Sequence, residues 1–394
     1  MSKVKSIDEL DAKGKKVLVR VDLNTPVKDG KVTDDTRIRA ALPTIEKLVN
    51  DGAKVILVSH RGRPSGEGYE EEFSLAPVAR RLQELLGKDI VLNRELVGPG
   101  AQEAVDAMED GDVVLLENIR FDKREKKNDP QFAKELASLA DVYVNDAFGT
   151  AHRAHASTAG VADYLPAYAG YLMLNEVNTL TSMLDDPKRP FVAILGGSKV
   201  SDKVKVIDAL IDKCDKLIIG GGMCFTFLKA QGYQTGTSLM EEDWVERCGD
   251  MIKKAEAKGV ELLLPLDVVC ADEFANDAKI HVCMVEEIPA DMMGLDIGPA
   301  TAIVYAEAIQ GAASVFWNGP MGVFEMPSFE GGTRAVAEAV ANNTEADTII
   351  GGGDSVAAVN QFDLADKMTF ISTGGGASME LVQGELLPGV EALK

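Results

Sequence analysis

Short apolar runs alternate with longer amphipathic stretches along nearly the whole chain, the pattern left by strands and crossover helices of a parallel sheet. In the first half, strands are expected over residues 16–21, 55–59, 113–117 and 142–145, with helices over 37–50, 76–86, 101–108 and 130–140. The second half starts again, with strands expected over 191–195, 216–219, 261–264, 314–317, 348–350 and 368–371. Between the halves, NEVNTLTSMLDDPKRP reads as a connecting helix closed by prolines. A chain of 394 residues exceeds one core of ordinary size. The expectation is therefore an α/β protein with two doubly wound parallel-sheet, Rossmann-like domains: residues 1–172, a hinge over 173–190, a second domain over 191–376, and a tail over 377–394.

In an open parallel sheet, ligands bind beyond the carboxyl ends of the strands. In the first half those ends carry polar clusters: Asp22 and Asn24 in VDLNTPV, His60 to Arg63 in SHRGRP, Arg120 in ENIRF, and His152 and Arg153 in NDAFGTAHRAHAS. Eleven of the fourteen arginines lie between Arg20 and Arg153, although the net charge is −22. Guanidinium groups concentrated within an acidic protein point to a small-anion pocket, because Arg matches phosphate and carboxylate oxygens with a bidentate fork. The competing reading is structural: Arg37 could pair with Asp34 or Asp35, and Arg120 and Arg153 could form ion pairs of their own. His152 and His155 could be taken for metal ligands, but no suitably spaced third ligand accompanies them. The overall charge argues against nucleic acid and anionic membranes as partners. No apolar run is long enough to span a bilayer, the N-terminal residues lack the core of a signal peptide, and the mean hydropathy is −0.02. A cytoplasmic protein is expected, with its five cysteines reduced, since none forms a CxxC pair.

The second half ends its strands differently, with GGSK, Gly220 to Gly222, NGPMG, GGGDS and TGGGAS. In FVAILGGSKVSDK, glycines permit a sharp turn, Ser198 is a candidate helix N-cap, and Lys199 and Lys203 share one face if the helix forms there. Two ammonium groups beside free backbone N–H donors make a phosphate site; an ordinary βα turn with solvated lysines is the alternative. In GGGDS, Asp354 is placed to hold Mg²⁺ or to act as a helix cap. There is no Walker A loop, and no GxGxxG follows the first strand of either half, which weakens a dinucleotide-dependent dehydrogenase.

Taken together and in order, VDLNTPV, TDDTRIRAALPTI, SHRGRP, NDAFGTAHRAHAST, LGGSKVSDKV, IIGGGM, LDIGP, VFWNGPMGVFE, GGGDS and STGGGAS closely resemble the phosphoglycerate kinase family across nearly the entire chain. The resemblance implies transfer of a phosphoryl group between 1,3-bisphosphoglycerate and MgADP, giving 3-phosphoglycerate and MgATP in glycolysis. It also implies a monomer and a C-terminal tail that returns to the first domain. Carried over residue by residue, Asp22, Leu23, Asn24, Arg37, His60, Arg61, Gly62, Arg63, Arg120 and Arg153 match the phosphoglycerate site. Lys199, Lys203, Gly294, Glu325, Gly352, Gly353, Asp354 and Ser355 match the nucleotide site, with Asp354 at the Mg²⁺ position. Gly374 and Gly375 match the glycine helix start that faces the moving phosphoryl group. The chain departs from the family at Arg61, where leucine is usual, and at Leu23 and Thr25, where phenylalanine and valine are usual.

Such a reaction needs no general base, because a nucleotide phosphate oxygen and a carboxylate are already ionised at neutral pH. Alignment and charge neutralisation then carry the chemistry. Arg37 and Lys203 are expected to clamp the transferring group, assisted by Lys199 and the Gly374 amide region, with bending at the hinge bringing the ligands together. Another α/β phosphotransferase and a non-catalytic two-lobed binding protein are the competing readings. The second would have no use for the paired lysines and Asp354.

Overall fold

The computed structural model describes residues 4–394; residues 1–3, at the start of the first expected domain, lie outside it. Contacts divide the chain into two compact units, one running to Thr179 and including Leu386–Lys394, the other Leu180–Glu385.

The first unit contains β1 (Lys16–Arg20), the hairpin β2 (Val27–Lys28) and β3 (Lys31–Val32), α1 (Thr36–Asn50), β4 (Lys54–Val58), α2 (Ala76–Leu86), β5 (Ile90–Asn93), α3 (Pro99–Asp106), β6 (Val113–Leu116), α4 (Pro130–Ala137), β7 (Val142–Asn145), β8 (Ala167–Ala169) and the start of α5 (Tyr171–Asp185). Six strands form a parallel sheet in the order β5-β6-β4-β1-β7-β8. β1 and β4 are short Val/Leu/Ile runs because both faces are covered. On α1, Ile38, Ala41, Ile45 and Leu48 recur at helical spacing and are buried against that sheet. α4 starts where Asp129 accepts a hydrogen bond from the Phe132 N–H and Pro130 supplies a preset first turn. The order reverses between β1 and β7, so the loops after them flank the switch point of the sheet.

The second unit continues with β9 (Phe191–Leu195), α6 (Val204–Ile211), β10 (Lys216–Ile219), α7 (Cys224–Ala230), α8 (Val245–Lys258), β11 (Glu261–Leu263), β12 (Asp267–Ala271), β13 (Ile280–Met284), β14 (Met293–Ile297), α9 (Pro299–Gln310), β15 (Ser314–Asn318), α10 (Gly331–Asn342), β16 (Asp347–Gly351), α11 (Gly353–Gln361), β17 (Phe370–Ile371) and α12 (Gly376–Val382). Its six-stranded parallel sheet runs β11-β10-β9-β15-β16-β17, with the switch point between β9 and β15. Trp317 is the largest side chain buried in its core, and its indole N–H is satisfied by the Gly319 carbonyl at 2.7 Å. Of the final residues, α12 stays with the second unit, while α13 (Pro388–Glu391) belongs to the first.

Both expected sheets are present. The reading of two units on one similar plan omits a three-stranded antiparallel sheet, β13-β12-β14, in the second. β12 follows β11 too closely for a crossover helix, which rules out a further parallel strand. β13 exposes four of its five residues, so no buried stripe marks it. The edge strand β8 also escapes the pattern, being short and only partly buried, and β5 is absent from the expected strands although Ile90–Leu92 is an apolar run. All five cysteines are free and buried.

Candidate functional site

In the first unit, the loops after β1, β4, β6 and β7 bring the arginines together. Arg37, near the start of α1, donates to Asp22 Oδ2 at 2.6 Å, not to Asp34 or Asp35; Asp35 instead pairs with Arg39 and Arg81. Asn24 Oδ1 accepts the Gly62 N–H at 2.9 Å, and Arg120 donates to the Gly62 carbonyl at 2.9 Å. Gly62 adopts φ +63°, and the Phe73 ring lies 2.4 Å from where a Cβ would stand, so no larger residue fits. Arg153 Nε donates to His152 Nε2 at 3.1 Å, and Arg63 is exposed. Burial, reinforced by Arg153 and Arg20, pushes the Arg120 guanidinium down to about 10. His60, buried and facing Arg20, Arg120, Arg153 and Arg37, is held well below the usual histidine range. Like charges gathered this way, with the Arg120 Nε–H buried and unpaired, are relieved by an anion.

Two residues of this group behave otherwise than their motif suggests. The Arg61 guanidinium turns away from the cluster and donates to the Glu72 and Ser74 carbonyls. Leu23 is fully buried in the core, gives its N–H to Ser59 Oγ at 2.9 Å and accepts the Thr25 N–H on its carbonyl at 2.8 Å, so both of its backbone polar groups are engaged within the protein.

In the second unit, the loops after β9 and β15 and the N-termini of α11 and α12 line a pocket of about 320 Å³ at the sheet's switch point. Lys199, Lys203, Gly352, Gly353, Asp354, Ser355 and Gly375 all line it. α6 does not begin in the glycine turn: it starts at Val204 with Lys203 at the cap position and no side-chain cap. Ser198 is thus not an N-cap, and the two lysines do not share a helix face. The turn itself is fixed by close backbone contact, with a Cβ on Gly196 reaching 2.0 Å from the Pro320 carbonyl. Lys199 is exposed, whereas Lys203 is partly buried and its ammonium donates to Asn318 Oδ1. Burial brings Lys203 down to about 8, opposed by Asp354 and Asp202. Asn318 Nδ2 is buried without a partner beside Gly352, a donor left for a ligand oxygen. Ser355 Oγ accepts the Gly319 N–H at 2.5 Å, tying α11 to the loop after β15. The Gly374 N–H is already given to Ser372 Oγ at 3.1 Å, so the expected Gly374 donor is engaged, and Gly375 and Gly376 line the pocket instead. Gly294, on β14, and the exposed Glu325 do not line it.

No group of three or more His, Cys, Asp or Glu side chains fit to hold a metal occurs among the described residues. Asp354 and Asp202 both line the pocket, and one or two carboxylates are what Mg²⁺ takes from a protein when substrate phosphates complete its shell.

The family model for phosphoglycerate kinase matches residues 7–385. The chain belongs to the phosphoglycerate kinase family. Phosphoglycerate kinase of Clostridium novyi (strain NT) is 59% identical over 394 residues, covering 99% of this chain and 98% of that protein. The one from Clostridium botulinum (strain Alaska E43 / Type E3) is 58% identical over 392 residues, with the same coverage. Among solved structures, phosphoglycerate kinase from Coxiella burnetii superposes with a TM-score of 0.93 at 46% identity, covering 99% of both chains. Phosphoglycerate kinase from Pyrococcus horikoshii OT3 gives 0.84 at 32% identity, covering 99% of this chain and 98% of that one.

Within this phosphoglycerate kinase fold, two residues that the motifs did not single out stand at the clusters. Arg20 is fully buried at the end of β1, where the charged residue in KVLVRV was the available signal. Asn318 closes β15 in WNGP, a polar side chain at the end of an apolar run.

Proposed function

We propose that the arginine cluster of the first unit binds the phosphoglycerate and the glycine pocket of the second binds the nucleotide, in the reaction of the family. The chain transfers a phosphoryl group between 1,3-bisphosphoglycerate and ADP, giving 3-phosphoglycerate and ATP. The observation that supports this division is the contrast between two anion-binding chemistries, each at the switch point of its own sheet. Asp22, Asn24, His60, Arg63, Arg120 and Arg153 hold the phosphoglycerate, and Arg37 is assigned to the transferring group. Lys203, kept in place by Asn318, neutralises nucleotide phosphate oxygens, assisted by Lys199 from the rim, while the backbone at Gly352, Gly353 and Gly375 approaches them closely.

Asp354 would hold Mg²⁺, which when bound supplies charge neutralisation on the nucleotide phosphates. Both nucleophiles are ionised at neutral pH, so the protein's part is to align donor and acceptor oxygens in line and to offset charge. A monomer acting on small molecules in the cytoplasm completes the reading. The test is an assay of ATP, Mg²⁺ and 3-phosphoglycerate coupled to reduction of the acyl phosphate: turnover is expected, and its absence would overturn the assignment. Arg37→Ala and Lys203→Ala locate the sites, each expected to lower kcat about a hundredfold.

A further inference from the structure

Arg20 lies at the carboxyl end of β1 with no exposed surface, and its guanidinium is anchored at three points. Nε donates to Ser157 Oγ at 2.9 Å, Nη1 donates to the Val21 carbonyl, and Nη2 lies 3.0 Å from His60 Nδ1. The anchor is itself braced. Ser157 Oγ donates to Glu125 Oε1 at 2.6 Å, the Ser157 N–H donates to Oε2 at 2.9 Å, and the Tyr143 hydroxyl donates to the Ser157 carbonyl at 2.7 Å.

A guanidinium has five N–H donors and no acceptor, so a contact at this distance requires His60 Nδ1 to be the acceptor. A neutral imidazole with Nδ1 unprotonated carries its proton on Nε2. Protonation would place a second donor and a second positive charge against the guanidinium in a buried site. The charged groups acting most strongly on His60 are Arg20, Arg120, Arg153 and Arg37, all cationic; the carboxylates of Glu125 and Asp22 act on Arg20.

We propose that Arg20 is a positioning residue that locks His60 as the neutral imidazole with its proton on Nε2, so that His60 serves the phosphoglycerate site as a hydrogen-bond donor and neither as a cation nor as a proton carrier. This rests on assigning the arginine cluster to the phosphoglycerate. The ring orientation follows from the same bond, since a flipped imidazole would present a carbon to Nη2. Burial of His60 and its cationic surroundings favour the neutral form independently of the tautomer.

Long-range ¹H–¹⁵N spectra of the ¹⁵N-labelled full chain decide it, with the His60 signals assigned through His60→Gln. Nδ1 is expected to be pyridine-like and Nε2 pyrrole-like, unchanged between about pH 5 and 8. A proton on Nδ1, or a doubly protonated ring in that range, overturns the proposal. In Arg20→Met combined with Glu125→Gln, which avoids stranding a buried carboxylate, His60 should exchange tautomers. KM for 3-phosphoglycerate should rise about tenfold while kcat stays within about threefold. A locked His60 or an unchanged KM in that variant also overturns it. Should the double variant fail to fold, the wild-type spectrum still decides. The spectra need no turnover, so failure of the coupled assay would discredit the functional assignment and leave the tautomer measurable.

Discussion

Lys203 and Asn318 show how a single contact sorts two lysines that spacing alone leaves equivalent. The Lys203 ammonium is drawn into the pocket by Asn318 Oδ1 and lowered to about 8 by burial, while Lys199 stays exposed. Because the folded pKa lies below that of an unfolded lysine, burying this charge disfavours folding at neutral pH, and stability rises as pH climbs from about 8 toward 10.5. Activity runs the other way. kcat/KM for the nucleotide should fall through an apparent pKa near 8 as the ammonium is lost, and pH–rate profiles of wild type and Lys203→Arg check this, the arginine variant lacking that limb. Arg61 is the residue where the chain leaves its family's habit, and its guanidinium serves the 72–74 carbonyls. Arg61→Leu should therefore keep kcat within about twofold and lower stability by about 1 kcal/mol, read from denaturant midpoints. The motif residues were legible because their chemistry is concentrated at strand ends. Arg20 and Asn318 stand at strand ends too, but only the fold shows what each faces.

Elements were legible wherever burial on both faces forces a run of Val, Ile and Leu, as in β1, β4 and β9. The exposed strand β13 and the short edge β8 lack that imprint; β5 carries an Ile-Val-Leu run and is missed only because it lies at a partly buried edge. The start of α6 was misplaced for a related reason: a glycine turn followed by serine has the composition of a helix cap. Here, however, close backbone contacts around Gly196, Gly221 and Gly319 fill the space, and the helix is delayed to Val204. Neighbouring glycines at the head of α11 differ in the same sense. Gly352 has φ +88° and a Cβ there would stand 2.6 Å from Asn318 Nδ2, whereas a Cβ on Gly353 meets nothing within 4 Å. Gly352→Ala should cost about 1–3 kcal/mol and raise KM for the nucleotide, while Gly353→Ala should leave the melting temperature unchanged or slightly higher; calorimetry and nucleotide titration separate the two.

With the phosphoglycerate assigned to one unit and the nucleotide to the other, transfer demands that the two be brought within in-line reach. Small-angle scattering should show compaction only when both substrates are present, and an unchanged radius of gyration with both bound would refute closure. The whole-molecule plan, two units in sequence, followed from length and from the restart of the strand pattern after the prolines at 187 and 190. The return of the last residues followed only from the resemblance, because LLPGVEALK has no feature of its own that names its destination. Leu387, Val390 and Leu393 are buried in the first unit, where the Gly389 N–H donates to the Ala151 carbonyl at 2.8 Å. Ala151 precedes His152 and Arg153, so the loop that carries part of the arginine cluster rests on residues that follow the whole second unit in the chain. On the ribosome, the second unit can therefore complete its fold before the first receives its final piece. A chain ending at Glu385 should keep a well-protected second unit while the amides around Ala147 and Ala151 exchange faster with deuterium.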